Sequence, residues 1–243
     1  MCGICGCGEP ASGATPPGHA HQHAGETRRL AVERSLLEHN REHAARLAAR
    51  LAAHGTDAIG LVGGPGAGKT SLLEATFARL GRAAAARELV IEGDCATDLD
   101  AKRVAASGAK AVQVATGSLC HLDAHLVEHA LESVALEGIG RLWIENVGNL
   151  VCPAAFPCGE RRRVAVVSVT EGDDKPEKYP ALFASVDLLV ISKADLLPHV
   201  DFDPARCLAG ARRVSPSLPS LLVSARNGAG LDGWLEWVSA GGA

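Results

Sequence analysis

The sequence predicts an α/β fold, a three-layer sandwich in which helices cover both faces of a mostly parallel sheet, with an N-terminal extension. Three observations carry this. Short Val- and Ile-rich runs alternate with segments of helical spacing, the pattern of strands buried on both faces between crossover helices. The 243 residues suit one such domain plus a modest appendage. No internal repeat is apparent that would point to a stacked array instead.

The elements follow in order. Residues 1–26 are rich in Cys, Gly, Pro and His and carry almost no large apolar side chains, so they cannot build a core. They are expected to form a flexible Cys/His tail, with 27–243 as the globular domain. From Thr27 to Ala53 the spacing of Leu36, Leu37, Leu47 and Leu51 predicts one long amphipathic helix, closed by His54-Gly55. Strands are expected at Ala58–Val62, Glu88–Glu92, Ala111–Val114, Arg141–Glu145, Arg163–Val169, Asp187–Ile191 and Ser220–Val223. Helices are expected at Lys69–Leu80, Leu99–Ser107, His121–Glu137, Pro204–Ala211 and Leu231–Ser239.

Composition excludes several classes of function. The formal charge is −4, from 24 basic and 28 acidic residues, with no run of Lys or Arg, which argues against nucleic acid as the main partner. No stretch approaches the roughly 18 apolar residues of a membrane span, and the N-terminus lacks a signal-peptide layout. The expected compartment is the cytoplasm. Three of the eight Cys lie within the first seven residues. In a reducing cytosol such clustered thiols read as metal ligands rather than disulfides.

Gly63-Gly64-Pro65-Gly66-Ala67-Gly68-Lys69-Thr70 matches G-x4-G-K-[ST] between an expected strand and an expected helix, with Ser71 directly after it. The chemistry needs those residue types. Glycines let backbone N–H groups converge on phosphate oxygens, and the helix N-terminus adds its positive end. Lys69 is expected on the β- and γ-phosphates and the Thr70 hydroxyl on Mg²⁺. Asp94 and Glu145 close the second and fourth strands, where ligands bind in open α/β sheets, and are the candidates for Mg²⁺ contact. Gly148 has the place of a γ-phosphate sensor. Asn149 follows it where a water-orienting Gln would stand, so slow hydrolysis is expected, roughly 10⁻⁴ to 10⁻² per second.

Ser192-Lys193-Ala194-Asp195 follows an apolar strand and resembles the guanine-reading N-K-x-D. A carboxylate such as Asp195 accepts from both N1–H and the exocyclic amine of guanine, and adenine offers no such pair. Ser192 stands where Asn is usual, and the Lys193 stem can lie along the base. Ser224-Ala225-Arg226 resembles a second base-contacting loop. In this order after a phosphate loop, the two motifs indicate GTP and GDP as ligands.

Cys120-His121 and Cys152 form a third constellation, because thiolate and imidazole suit Zn²⁺ or Ni²⁺ far better than Mg²⁺. Cys152 lies four residues beyond Gly148, so nucleotide state and metal binding are expected to bias one another. His125 and His129 continue from His121 at i+4 and i+8, on one face of the expected helix, and could supplement the site or form a polar surface. Cys2, Cys5 and Cys7 make a C-x-x-C-x-C cluster able to wrap one soft ion, and His19, His21 and His23 could add weak metal buffering. Cys95, Cys158 and Cys207 have no His beside them and read as structural thiols.

Together these residues are similar to one family, the hydrogenase nickel-incorporation (maturation) GTPases of the HypB family. The resemblance covers the C-x-x-C-G-C, the phosphate loop, Ile91–Asp94, Cys120–Ala124, Glu145–Pro153, Ser168–Pro180 and Ser192–Pro198. The run Ser-Val-Thr-Glu-Gly-Asp-Asp-Lys-Pro from Ser168 is especially specific. The resemblance implies a P-loop NTPase fold of the SIMIBI type and a GTP-dependent homodimer that delivers Ni²⁺ to the [NiFe]-hydrogenase large-subunit precursor. It further implies a small nickel- and zinc-binding accessory partner and a nucleotide-linked Zn²⁺/Ni²⁺ site matching Cys120, His121 and Cys152. Ser192 and Cys158 depart from the usual pattern, and the short His tract does not suit bulk nickel storage. A urease-type nickel-insertion GTPase shares the P-loop and base motif but not the N-terminal thiols or the Cys120-His121…Cys152 spacing. A nickel buffer with structural GTP binding is the other alternative.

Overall fold

The structure is a computed structural model and describes residues 20–94, 99–117 and 119–241, with side chains from Arg34 onward. Cys2, Cys5, Cys7 and Cys95 and the side chains of His19, His21 and His23 lie outside the described residues. The chain divides into two compact units, Met1–Leu36 and Leu37–Ala243. Helix α1 (Ala20–Ala53) begins before the expected Thr27, since no proline follows Pro17 to stop it. The remaining elements all belong to the second unit.

Seven strands form one sheet in which every pairing is parallel: β1 (Asp57–Gly63), β2 (Glu88–Asp94), β3 (Lys110–Ala115), β4 (Arg141–Glu145), β5 (Arg162–Ser168), β6 (Leu188–Ser192) and β7 (Ser220–Leu222). Their order is β3-β2-β4-β1-β5-β6-β7. The chain leaves β1 toward one edge and returns through β4 to continue as β5 on the other side. The carboxyl end of β1 is therefore the switch point where such sheets bind ligands.

Alternation along the strands builds both covered faces. Ile59 and Leu61 pack with Leu72, Leu73 and Phe77 of α2 (Lys69–Leu80) and Trp234 of the C-terminal helix (Leu231–Ala240). On the opposite face Ala58 packs with Leu47 and Leu51 of α1 and Leu131, while Val62, Ala165 and Val167 pack with Leu182, Phe183 and Cys207. Among the described residues no helix is long and apolar enough to cross a membrane.

One expected helix is shorter than its composition suggested. His121–Glu137 is helical only over Ala124–Ala130, followed by a 3₁₀ turn at Leu131–Ser133. Asp123 starts it by accepting from the Leu126 N–H at 2.8 Å, and Asp123 itself is extended. His121 thus precedes the helix and does not share a face with His125 and His129. The His125 ring lies against His43, and His129 pairs with Glu132.

Candidate functional site

The phosphate loop joins the β1 carboxyl end to α2. Gly68 sits at φ 90°, a left-handed conformation favouring glycine, and no side chain caps the helix start. The first helical N–H groups thus remain available to an anion. They border a cavity of about 390 Å³ lined by Lys69, Thr70, Asp94, Glu145 and Gly148 among others. Buried Lys69 donates at 3.4–3.5 Å to the carbonyls of Gly63 and Gly64.

Below the loop lie two buried carboxyls, one of which sequence reading did not single out. The β2–β4 register sets Glu92 directly opposite Glu145, and each is only 3% exposed. The Thr70 hydroxyl donates to Glu145 Oε1 at 2.8 Å, whereas the Oε2 atoms of both glutamates are buried without a hydrogen-bond partner. Burial and the facing carboxyl of Glu145 push Glu92 up to about 10. Burial likewise raises Glu145, with Lys69 acting the other way. Two such carboxyls cannot both ionise without a cation between them or nearby. Orphaned hard oxygens beside a hydroxyl fit Mg²⁺.

The base motifs line a neighbouring cavity of about 540 Å³, bordered by Ser71, Ser192, Lys193, Asp195, Ala225 and Arg226. Gly68, Ser71 and Lys193 border both cavities, so together they can take an elongated ligand. The Ser192 hydroxyl donates to the Ala67 carbonyl at 2.5 Å, tying the base motif to the phosphate loop. Ser224 donates to Asp195 Oδ1 at 2.6 Å and fixes that carboxylate. Lys193, at φ 57°, is the one non-glycine residue with positive φ among the described residues, a strain typical of ligand clamps.

Cys120, His121 and Cys152 do come together. Their ligand atoms lie within 4.8 Å of one another, with Cys120 Sγ 2.9 Å from Cys152 Sγ and 3.8 Å from His121 Nδ1. Both thiols are free. Hydrogen bonding to Cys152 raises the Cys120 thiol, and burial lowers His121, keeping its imidazole neutral and able to ligate. The His121 ring packs on Phe156, with centroids 4.4 Å apart. Cys158 remains a buried thiol, donating to the Leu122 carbonyl, and Cys207 is buried in the core.

Two asparagines after β4 connect the thiols to the nucleotide cavity: Asn146, which the sequence did not single out, and Asn149, which it marked only as standing where a water-orienting Gln would. Asn146 accepts from the Leu122 N–H at 2.9 Å and donates to its carbonyl at 3.3 Å. Asn149 donates to the Cys120 carbonyl at 3.2 Å, accepts from the Val151 N–H at 2.8 Å, and makes a backbone bridge to Gly63. Between them, Gly148 lies so close to the phosphate loop that a Cβ there would stand 2.7 Å from Pro65 Cα.

A parallel sheet with this loop at its switch point defines a P-loop nucleotide-binding protein of the GTPase type. Residues 57–221 match the family model described as the CobW/HypB/UreG nucleotide-binding domain. The chain belongs to this family and, within it, to the HypB hydrogenase maturation factors. It is 52% identical over 226 residues to the hydrogenase maturation factor HypB of Azotobacter vinelandii, covering 91% of this chain and 73% of that protein. The solved HypB of Archaeoglobus fulgidus superposes with a TM-score of 0.78 at 36% identity, covering 85% of this chain and 100% of the other. The Helicobacter pylori HypB solved in complex with nickel also gives 0.78, at 33% identity over 84% and 94% of the two chains.

Proposed function

We propose that this chain is a GTP-hydrolysing nickel metallochaperone that delivers Ni²⁺ to the [NiFe]-hydrogenase large-subunit precursor. The observation that carries the reading is the Gly148–Asn149 segment, which touches Pro65 and Gly63 of the phosphate loop and holds the Cys120 carbonyl. Nucleotide and metal site share that short piece of backbone.

In this reading the backbone N–H groups of Gly63–Gly68, with Lys69, Thr70 and Ser71, bind the phosphates. Asp195, positioned by Ser224, reads guanine, with Lys193, Ala225 and Arg226 enclosing the base. Thr70, Glu145 and Asp94 would hold Mg²⁺, directly or through water, with Glu92 beside them, and the ion would supply positive charge against the phosphates. Gly148 senses the γ-phosphate. Asn149 stands where a water-orienting Gln would, and its amide is engaged with the Cys120 carbonyl and the Val151 N–H, so turnover is slow and suits a switch. Cys120, His121 and Cys152 hold Ni²⁺ or Zn²⁺ as cargo, and Cys2, Cys5 and Cys7 form the second thiol site. The functional unit is a GTP-dependent cytoplasmic homodimer working with a small nickel- and zinc-binding accessory protein.

A nickel buffer with structural GTP binding would tolerate loss of guanine reading, whereas an inserter would not. In cells lacking their own copy, the wild-type chain should restore hydrogenase activity and the Asp195→Ala variant should not. Equal restoration by both, at equal protein levels, would reject GTP-driven delivery.

A further inference from the structure

Helix α1 from Leu37 onward meets the 124–130 helix through a group of titratable side chains that neither site above uses. His39 and His43 are four residues apart on α1, the spacing that places two imidazoles on one helix face. Their Nε2 atoms are 3.1 Å apart. The other nitrogen of His43, Nδ1, is 2.5 Å from Glu128 Oε2. Arg46 contacts the same nitrogen at 2.8 Å and the same carboxylate at 3.7 Å, so its charge is balanced on the side of the ring away from Nε2. The His125 ring stands edge-on to His43 with centroids 5.0 Å apart. His43 is 8% exposed, while His39 is exposed.

Arg46 can only donate, so the two contacts at His43 Nδ1 compete. The shorter one, to the carboxylate, favours the tautomer with the proton on Nδ1. In that tautomer Arg46 pairs with Glu128 rather than with the ring, and the Nε2 lone pair is left for another partner. A carboxylate behind one ring nitrogen is the arrangement that orients histidine toward a metal on the other. The spacing fits as well. With metal–nitrogen bonds of about 2.0–2.1 Å, two nitrogens on one ion stand about 2.9 Å apart at a right angle and about 3.4 Å apart at the tetrahedral angle. The observed 3.1 Å falls between. A pair of imidazole nitrogens selects borderline divalent transition metals rather than Mg²⁺ or Ca²⁺.

We propose that His39 and His43 form a further transition-metal site, ligated by their two Nε2 atoms, positioned by Glu128 and open to solvent on the His39 side. Asn40, on the same turn, accepts from the Ala124 N–H at 2.9 Å and donates to the Pro157 carbonyl at 2.9 Å. The site is thereby fixed to the segment that carries His121. It takes Ni²⁺ or Zn²⁺ without reference to nucleotide, completing its coordination with water or a ligand from a second protein.

The test uses the full chain with Cys120→Ser and Cys152→Ser, so that the thiol-imidazole site is silent and the N-terminal segment is common to every arm. Titration with NiCl₂ or ZnCl₂ should show one equivalent fewer on adding His39→Gln, an exposed substitution whose folding is checked by GDP affinity. Glu128→Gln should keep the equivalent but weaken it about 10–100-fold. In NMR spectra, substoichiometric Ni²⁺ should broaden the His39 and His43 ring signals. Unchanged stoichiometry and affinity in His39→Gln, or ring signals that ignore the metal, would overturn the proposal and leave the two histidines as hydrogen-bonded neighbours on α1, with His43 joined to Glu128 across the two helices.

Discussion

At Gly148 the missing side chain lets the loop after β4 lie on the phosphate loop. A Cβ would meet Pro65 Cα at 2.7 Å and Pro65 N at 2.8 Å, and neither backbone atom can swing aside. Overpacking of this kind costs about 1–3 kcal/mol, which the loop would relieve by moving off Pro65. Gly148→Ala should therefore leave GDP affinity within a few-fold of wild type. It should shrink the difference in Ni²⁺ affinity between GDP- and GTP-analogue-bound protein, measured by metal titration of the two complexes. An undiminished difference would mean that coupling does not pass through this contact. Ser192 has a comparable single-residue logic. Its hydroxyl reaches the Ala67 carbonyl, so the residue that departs from the usual Asn still joins base motif to phosphate loop.

Among the elements, strand register decides what motif reading cannot. The phosphate loop and base motifs were legible because their chemistry is contiguous in sequence. Glu92 was not, because it becomes part of the site only where β2 pairs with β4 and sets it against Glu145. Asn146 and the linking contacts of Asn149 escaped for the same reason, since their partners Leu122, Cys120 and Gly63 are distant in sequence. The strands were legible to within a residue or two because burial on both faces writes continuous apolar runs. The expected helix around His125 is too long because Leu, Ala and Glu, which favour helix, recur throughout 121–137, while the cap at Asp123 is a local choice between similar sequences. The same β2–β4 pair carries a prediction at its other end. Burial holds the Glu88 carboxyl above its ordinary 4.5, although Arg141 and the Trp143 indole N–H oppose this. For a raised carboxyl the stabilising contribution is complete below 4.5 and is lost as pH rises through the folded value. Glu88→Gln keeps an acceptor for Trp143 but cannot ionise, so thermal melts from about pH 5 to 8 should show a flatter pH dependence than wild type. Parallel profiles would contradict the assignment.

Across the whole molecule, one sheet edge gathers three chemistries. The β1 end offers backbone N–H donors at a helix start, the β2 and β4 ends offer hard oxygens, and the β6 end offers the Asp195 carboxylate proposed to read the base. The loop leaving β4 then runs on to Cys152, where soft donors converge with Cys120 and His121. In the function proposed above, segregating hard from soft ligands would let Mg²⁺ and a cargo metal occupy one protein without exchange. The class of fold, the family and the expectation that the Gly148–Cys152 segment links the two sites were legible from the sequence. The route of that link was not, because it depends on the backbone approach of Gly148 to Pro65 and on the partners of Asn146 and Asn149. That link is the central claim, and it is thermodynamic. If nucleotide state and metal site are coupled, each must change the other's affinity by the same factor, and couplings of this kind amount to about 5–150-fold. The direct measurement is a Ni²⁺ titration of the full chain saturated with Mg²⁺-GDP and with a non-hydrolysable Mg²⁺-GTP analogue, repeated with Cys120→Ser to identify the responding site. The two affinities should differ by at least about fivefold in the wild type and converge in the variant. Identical Ni²⁺ affinities in the two nucleotide states of the wild type would contradict the coupling outright.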